Sequence, residues 1–501
     1  MDGMQRPNLP RYLREIQVEV ERHARAAGLD FFPVLFEILT YDEMNMVAAY
    51  GGFPTRYPHW RYGMEYQRLS KGYTYGLHKI YEMVINNNPC YAYLLEGNST
   101  LEHKLVMSHV LAHCDFFKNN AWFAPTSRKM MDEVANHATQ VQRAVERYGI
   151  ESVEAFLDSC LSIENLTDPS WPFAPRPARV ATGGVAAEEH PKEEELARLP
   201  AKSYMDSFIN PKEYMERQRR TREEKTAQVR RFPPEPRRVV MGFLLEHAPL
   251  ERLQQNLLSI IRDEAYYFMP QGQTKIMNEG WATYWHSVLM TTKLLKASEV
   301  IDYADHASMV LATSGGRLNP YKLGLELFRD IEERWDAGRF GKDWEDCERL
   351  EERRCWDRRT GLGREKIFQV RRTHNDLTFL DEFLTLDFCI EHNLFSFGYN
   401  AKRKRWEVLS REFAEVKATL LQQLTNFGQP IIFVEDGNFE NKGELLLVHR
   451  HEGLDLDPDW GGETLAALAR LWTRPANAIT EREGKKVRLR HDGSELRSID
   501  M

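Results

Sequence analysis

The stretch of sequence that says most about the fold and the candidate functional site is VMSHVLAHCDFF, residues 106–117. It places His109 and His113 four residues apart, which is close to one helical turn, so both imidazoles lie on the same face of a helix. A second stretch, MNEGWATYWH at residues 277–286, places Glu279 on the face of another helix. Imidazole and carboxylate donors on two packed helices are typical of a site for zinc or another divalent metal.

The residues that precede the histidine pair predict the bounds of its helix. Ser99 and Glu102 form a capping-box pattern, in which a serine at the N-cap is followed three residues later by a glutamate. The helix is therefore expected to run from about residue 100 to residue 118. Cys90–Leu95, which lies between an asparagine-rich turn and a glycine turn, is expected to be a strand that leads into it.

The pattern along the chain predicts a mainly α fold with a small sheet, followed by a C-terminal α+β domain. We assign residues 1–167 to an N-terminal helical part with the HxxxH helix, and residues 239–398 to a second helical part with the NEGWATYWH helix. Between them, residues 168–238 are rich in proline and charge and are predicted to be a partly mobile insertion. Residues 399–501 form the C-terminal domain. Its predicted elements are strands at 430–434, 444–448 and 486–489 and a helix at 462–472.

The composition excludes two classes of protein. The chain has 501 residues, with 67 basic and 75 acidic side chains and a formal net charge of −8, so it lacks the basic excess of a nucleic-acid-binding protein. It also has no run approaching the roughly 20 apolar residues that a bilayer-spanning helix needs. The N-terminal residues lack the apolar core of a signal peptide, so the cytoplasm is the expected compartment.

The two histidine and glutamate stretches resemble the motifs of the gluzincin metallopeptidases, H-E-x-x-H followed by N-E-G-F-A-x-Y. The resemblance implies a gluzincin-like helical body in which His109, His113 and Glu279 bind zinc. Two features depart from that pattern. Val110 stands where the family has its general-base glutamate, and the interval from His113 to Glu279 is longer than in the family. A valine side chain cannot take a proton from a water molecule, so another residue must supply the base.

Three residues are candidates for the missing base. Glu264 precedes the second stretch and is the first candidate. His286, seven residues after Glu279 on the same helical face, is the second, either as a base or as a fourth metal ligand. Glu102 is the third candidate, and Tyr284 is a candidate for polarising a substrate carbonyl. For each of these side chains a purely structural role remains an open alternative.

Nearly the whole chain is similar to the stage V sporulation protein R family of bacteria. The segments that carry the resemblance are His109–Asn120, Tyr204–Pro211, Phe243–Pro249, Asp263–His286, Asn319–Gly324, Phe328–Gly341 and Arg371–Asp376. The resemblance implies a cytoplasmic protein of spore cortex formation, or of the stress response in relatives that do not sporulate. It also implies a serine protein kinase and a von Willebrand A-like protein as partners. It assigns no reaction.

The sequence therefore leaves three functional hypotheses. The leading one is a zinc-dependent hydrolase that cleaves an amide bond in a peptide or a cell-wall precursor, with Glu264 or His286 as the base. The second is a non-catalytic adaptor with a structural metal site, which works with the kinase. The third is a carboxylate-bridged redox metal site built from Glu102, Glu264 and Glu279 together with histidines.

Overall fold

The structure is a computed structural model, and it describes residues 9–74, 80–173, 211–217, 220, 232–312, 318–400 and 403–501. Within these residues the fold is mainly α, with two small sheets and a larger C-terminal sheet, so the predicted fold class is confirmed. The predicted insertion at 168–238 and the Tyr204–Pro211 segment lie largely outside the described residues. Among the helices described, none has the length and apolar composition that crossing a bilayer requires.

The helices are numbered here in chain order. The first ten are α1 (Arg11–Ala26), α2 (Tyr41–Ala49), α3 (Trp60–Thr74), α4 (Thr100–Asn119), α5 (Met130–Tyr148), α6 (Ile150–Leu161), α7 (Val240–His247), α8 (Arg252–Gln273), α9 (Lys275–Leu289) and α10 (Val300–Leu311). The others are α11 (Pro320–Asp336), α12 (Lys342–Glu345), α13 (Leu350–Arg354), α14 (Gly363–Thr373), α15 (Asp376–Phe383), α16 (Leu386–Glu391), α17 (Phe413–Leu424) and α18 (Pro458–Trp472).

The strands form three sheets. They are β1 (Val34–Leu39), β2 (Glu82–Ile85), β3 (Cys90–Leu95), β4 (Ser396–Asn400), β5 (Arg405–Ser410), β6 (Ile431–Phe439), β7 (Glu444–Arg450), β8 (Ala476–Arg482), β9 (Lys485–His491) and β10 (Leu496–Asp500). The first sheet has the order β1-β3-β2, the second pairs β4 with β5, and the third has the order β10-β9-β8-β7-β6. In the first sheet β1 is parallel to β3, whereas the edge strand β2 is antiparallel to it.

The histidine helix α4 begins where the capping box predicted. The Ser99 hydroxyl accepts the Glu102 backbone N–H at 3.2 Å, and the Glu102 carboxylate accepts the Ser99 backbone N–H at 2.6 Å. The predicted strand Cys90–Leu95 is β3, which leads directly into this helix. From His103 to Phe117 every side chain of α4 is buried, so this helix lies inside the core on all its faces. Its histidines are therefore held in an environment from which water is largely excluded.

The glutamate helix α9 packs against α11 at an unusually close crossing made by two glycines. A Cβ atom added to Gly280 would lie 2.4 Å from the backbone of Gly324, and one added to Gly324 would lie 2.1 Å from the carbonyl oxygen of Ile276. Only hydrogen atoms fit between the two backbones there. The crossing sets the distance between Glu279, next to the first glycine, and Tyr321, one turn before the second.

The C-terminal sheet confirms the predicted strands β6, β7 and β9 and the predicted helix α18. Between the parallel strands β7 and β8, helix α18 provides the crossover connection that such a pair requires. The sequence patterns did not predict β8 or β10. The first of these has only a short apolar pattern, and all five residues of β10 are exposed, so neither gives a strong strand signal.

Contacts between Cα atoms divide the chain into two compact units. The first consists of Met1–Glu154 and Asp263–Gln429, and the second of Ala155–Arg262 and Pro430–Met501. Each unit is therefore built from two separate stretches of sequence. The division predicted from sequence, into four consecutive parts, stays a prediction.

Candidate metal centre

The structure brings together the three side chains that the sequence predicts as metal ligands. His109 and His113 lie one turn apart on α4, and each of their Nε2 atoms is 3.6 Å from Oε2 of Glu279 on α9. One ligand atom from each residue lies within 4.8 Å of the others, and among the described residues these three form the group that could hold a metal ion. Two helices from distant parts of the sequence thus contribute to one centre.

The spacing of these donors suits a cation better than a hydrogen bond. An N–H···O hydrogen bond spans about 2.7–3.2 Å, which is shorter than either of the 3.6 Å separations to Glu279. Ligands about 2.0–2.1 Å from a tetrahedral zinc ion lie roughly 3.3–3.4 Å from one another, close to the separations found here. Within the described part of the chain, Glu279 Oε2 is buried and accepts no hydrogen bond. Because a buried carboxylate oxygen without a hydrogen bond is costly, a divalent cation fits this group.

The second nitrogen of each histidine has a partner of the kind found behind metal ligands. His113 Nδ1 lies 2.9 Å from Oδ1 of Asn278, which can only accept, so this nitrogen carries the proton and Nε2 keeps its lone pair. His109 Nδ1 lies 3.0 Å from Nδ1 of His286. Partners of this type fix the tautomer and the ring orientation of histidine ligands. Both imidazoles are therefore held with Nε2 facing Glu279.

His286 thus contacts His109, one of the candidate ligands. Burial lowers the pKa of His286 well below its usual range, and the neighbouring imidazoles of His109 and His306 lower it further. If Nε2 of His109 bound a metal ion, its Nδ1–H would be donated to Nδ1 of a neutral His286. The prediction that it acts as a base or a fourth ligand stays a prediction.

The charge states of the ligands favour metal binding at neutral pH. Burial lowers the pKa of His113 to about 4, so its imidazole is neutral. For Glu279, burial raises the pKa, but the attraction of His109 and His113 outweighs burial and the pKa falls below its usual value. A neutral imidazole and an ionised carboxylate are the forms that bind a metal ion.

Two residues that the sequence analysis did not single out also belong to this site. Tyr321 stacks on His109 with ring centroids 6.3 Å apart and forms a hydrogen bond with Glu279. Glu82 is the first residue of the edge strand β2 and interacts electrostatically with His109 and Glu279. Burial raises the pKa of Glu82, and the negative charge of Glu279 raises it further. Burial also raises the pKa of Tyr321, which keeps its hydroxyl protonated.

The sequence contained an indication of Tyr321 but none of Glu82. Tyr321 lies in Asn319–Gly324, one of the segments that carry the family resemblance, so the sequence pointed to the segment without giving its role. Glu82 lies in a four-residue strand that belongs to no motif. Its place beside the ligands follows from the pairing of β2 with β3, in which Glu82 lies opposite Leu94.

The glutamate helix is held at its N-terminus by a buried carboxylate. Asp376 Oδ2 accepts the backbone N–H of Ile276 at 2.8 Å, and its Oδ1 accepts that of Met277 at 2.9 Å. These N–H groups belong to the first turn of α9 and have no partner within the helix. Their capture by Asp376 fixes the turn from which Glu279 extends.

A second set of contacts fixes α9 against α4. The indole N–H of Trp281 donates to Oδ2 of Asp115 at 2.9 Å, and Arg371 Nε lies 3.5 Å from the same oxygen. The amide of Asn120, just after α4, donates to the carbonyl oxygen of Arg371 at 2.7 Å. All four residues are buried. They come from three of the segments that carry the family resemblance, so these segments together position the ligands.

Glu264, the first candidate for the base, has other partners. Its Oε2 lies 3.0 Å from Nη2 of Arg56, and its Oε1 lies 3.2 Å from Nδ1 of His137. Both carboxylate oxygens are thus engaged in an ion-pair cluster. The carboxylate of Glu102, the third candidate, caps α4 at Ser99. The structure therefore places Glu102, Glu264 and Glu279 with three different sets of partners, and the group of metal donors contains one carboxylate.

Val110, at the position of the usual base, is completely buried and belongs to the hydrophobic core. Tyr284, the candidate for polarising a carbonyl, donates its hydroxyl to Glu332.

Comparisons with known proteins agree with the resemblance seen in the sequence. The profile of the family described as SpoVR like protein matches residues 8–429. The uncharacterized protein YcgB of Escherichia coli (strain K12) is 31% identical over 353 residues, which cover 65% of this chain and 66% of YcgB, just under two thirds of its length. No solved structure matches the chain significantly. The resemblance to gluzincins stays a prediction. With a match over most of its length, this chain belongs to the SpoVR-like protein family.

Proposed function

We propose that this protein is a metal-dependent hydrolase that cleaves an amide bond in a peptide or a cell-wall peptide precursor. The observation that carries the proposal is the group of His109, His113 and Glu279, whose donor atoms have the spacing of ligands and whose buried Glu279 oxygen has no hydrogen bond within the described residues. The biological setting proposed is spore cortex formation or a stress response in the bacterial cytoplasm, as the family resemblance implies.

In the proposed reaction, different residues of the site would have different roles. A zinc or other divalent cation, when bound by the three ligands, would polarise a carbonyl group and a water molecule. The Tyr321 hydroxyl, which stays protonated because its pKa is raised, would donate to the substrate carbonyl oxygen. A carboxylate would take a proton from the attacking water as the new C–O bond forms. It would return the proton to the leaving nitrogen as the C–N bond breaks.

Glu82 is the carboxylate that its electrostatic environment favours for this proton transfer. Its charge interacts with His109 and Glu279, and its pKa is raised by burial, as suits a group that must take up a proton and release it. Glu264 is the weaker choice because Arg56 and His137 already engage both of its oxygens. We therefore propose Glu82 in the role for which the sequence suggested Glu264 or His286.

The first test is the metal content of the purified full-length protein. We expect about one equivalent of zinc or another divalent metal per chain, since three protein ligands with ordered partners bind metal tightly. Glu279→Gln and His113→Ala should each lose most of it, whereas His23→Ala, which removes an imidazole outside the group, should retain it. Metal content would be measured by inductively coupled plasma mass spectrometry after dialysis. Less than about a tenth of an equivalent in the wild-type protein would contradict the site.

The second test separates metal binding from hydrolysis. Metal-loaded protein would be incubated with a peptide library and with a soluble stem-peptide precursor, and new amines would be followed by mass spectrometry. We expect Glu82→Gln to lower the cleavage rate by about 100-fold or more, because a positioned base contributes that much, while the metal content stays at the wild-type level. Cleavage by Glu82→Gln at the wild-type rate would rule out Glu82 as the base.

A second function, an adaptor with a structural metal site, is favoured by the burial of Val110 in the core, where the usual base is absent. In that case the serine protein kinase and the von Willebrand A-like protein implied by the resemblance would be its binding partners. Fully metal-loaded protein that cleaves neither substrate set but binds the purified kinase would support the adaptor over the hydrolase.

A further inference from the structure

A cavity of about 400 Å³ is lined in part by His286, the residue that contacts the candidate ligand His109. Its walls come from α9, α10 and α11, with Leu105 of α4. Its volume is in the range of sites that hold small molecules. His286 lines this cavity and contacts His109, but none of the three candidate ligands lines the cavity.

Much of the cavity wall is apolar and could pack against the apolar part of a bound molecule. The aliphatic side chains that line it are Leu105, Val288, Ala307, Val310, Leu311 and Leu325. Leu105 and Leu325 are buried, whereas Ala307, Val310 and Leu311 are partly exposed on the α10 side. The apolar surface is therefore open to solvent from one side, and an apolar molecule would bury it on entering.

One fixed positive charge accompanies this apolar wall. Arg329 on α11 lines the cavity, and its charge acts on Tyr284, His286 and Tyr303, three other lining residues. The guanidinium is about half exposed, and its Nη1 is 3.2 Å from Glu326, which leaves further N–H donors for a ligand.

The acidic residue of the wall has a different partner from Arg329, which pairs with Glu326. Glu332, the acidic residue of the wall, accepts the hydroxyl of Tyr284. An arginine at the rim of an apolar cavity is suited to a carboxylate, which it can bind through two parallel hydrogen bonds.

We propose that this cavity is a binding site for a small apolar molecule that carries one carboxylate, with the apolar body against the α10 wall and the carboxylate at Arg329. The site goes beyond the proposed hydrolase function and does not depend on it, because none of its contacts requires the metal ion.

The probe for this site is octanoate, with 1-octanol as the uncharged control of equal chain length. Isothermal titration of the full-length protein should show saturable binding of octanoate with a dissociation constant of about 1 mM or tighter. Octanol should bind at least about tenfold more weakly, because it forms no charge-assisted hydrogen bonds. Arg329→Gln should weaken octanoate binding by about tenfold or more and leave octanol binding unchanged.

Two substitutions test the location. Ala307→Trp fills the cavity and should abolish binding of both probes, and Val310→Phe is a second, smaller filling variant in case the first does not fold. Circular dichroism and the urea unfolding midpoint identify the variants that remain intact. Equal affinities for octanoate and octanol, or wild-type binding by an intact filling variant, would overturn the proposal. So would the absence of binding by the wild-type protein at millimolar probe.

Discussion

Gly324→Ala is expected to lower the free energy of unfolding of the first unit by more than about 3 kcal/mol, or to prevent folding. The new Cβ atom would lie 2.1 Å from the carbonyl oxygen of Ile276 and 2.7 Å from Cα of Gly280. Both contacts are with backbone atoms, so no side chain can turn away to relieve them. Helices α9 and α11 would have to separate, and Tyr321 would move away from Glu279.

The measurement is urea unfolding followed by tryptophan fluorescence, since Trp281 on α9 is fully buried. Gly280→Ala should give a similar loss, because its Cβ atom would lie 2.4 Å from the backbone of Gly324. Gly63→Ala is the matched control. Gly63 lies within helix α3, and a Cβ atom there meets nothing within 4 Å, so alanine should be neutral or slightly stabilising. Equal unfolding midpoints for Gly324→Ala and Gly63→Ala would refute this account of the crossing.

Glu264→Gln is expected to cost about 3–5 kcal/mol of stability, because it leaves the charge of Arg56 buried without its counter-ion. The side chains of Arg56 and Glu264 are 7% and 6% exposed, and their closest atoms are 3.0 Å apart. Arg56 Nη1 is also buried and has no hydrogen-bond partner among the described residues, so the neutral Tyr62 hydroxyl, which accepts from Nε and Nη2, would be left to compensate the charge. The ion pair to His137 would be lost as well.

This variant also decides between a structural and a catalytic role for Glu264. We expect reduced stability in thermal unfolding together with an unchanged metal content. The double variant Arg56→Met with Glu264→Leu, which removes both charges, should recover most of the loss. Glu15→Gln, which breaks the exposed pair with Arg11, is the control and should change little. A Glu264→Gln protein with wild-type stability and no hydrolysis would instead identify Glu264 as the base.

Interactions between residues close in the sequence explain why much of the candidate site could be predicted. The capping box at Ser99 and Glu102 depends on residues three positions apart, so it specifies the start of α4 without help from the rest of the chain. The four-residue spacing of His109 and His113 places both on one face for the same reason. Glu279 was identified because its neighbours resemble a motif in which a glutamate binds metal.

Residues whose roles depend on distant contacts could not be predicted in this way. Glu82 joins the site because β2 pairs with β3, and a four-residue strand carries no signal of its partner. The engagement of Glu264 by Arg56 and His137 joins residues that are far apart in the sequence, and no local pattern indicates it. The sequence could therefore name Glu264 as a candidate base without showing that its oxygens are already engaged.

The sequence by itself identified the candidate ligands, the helices that carry them and the family to which the chain belongs. Tertiary structure alone decided that the ligand helices meet, that Gly280 and Gly324 allow α9 and α11 to approach, and that Glu82, Tyr321 and His286 surround the ligands. The physical reason is the separation in sequence over which each kind of interaction acts. Helix periodicity and capping act between residues a few positions apart, whereas a metal site, a backbone crossing and a buried ion pair need groups that only packing brings together.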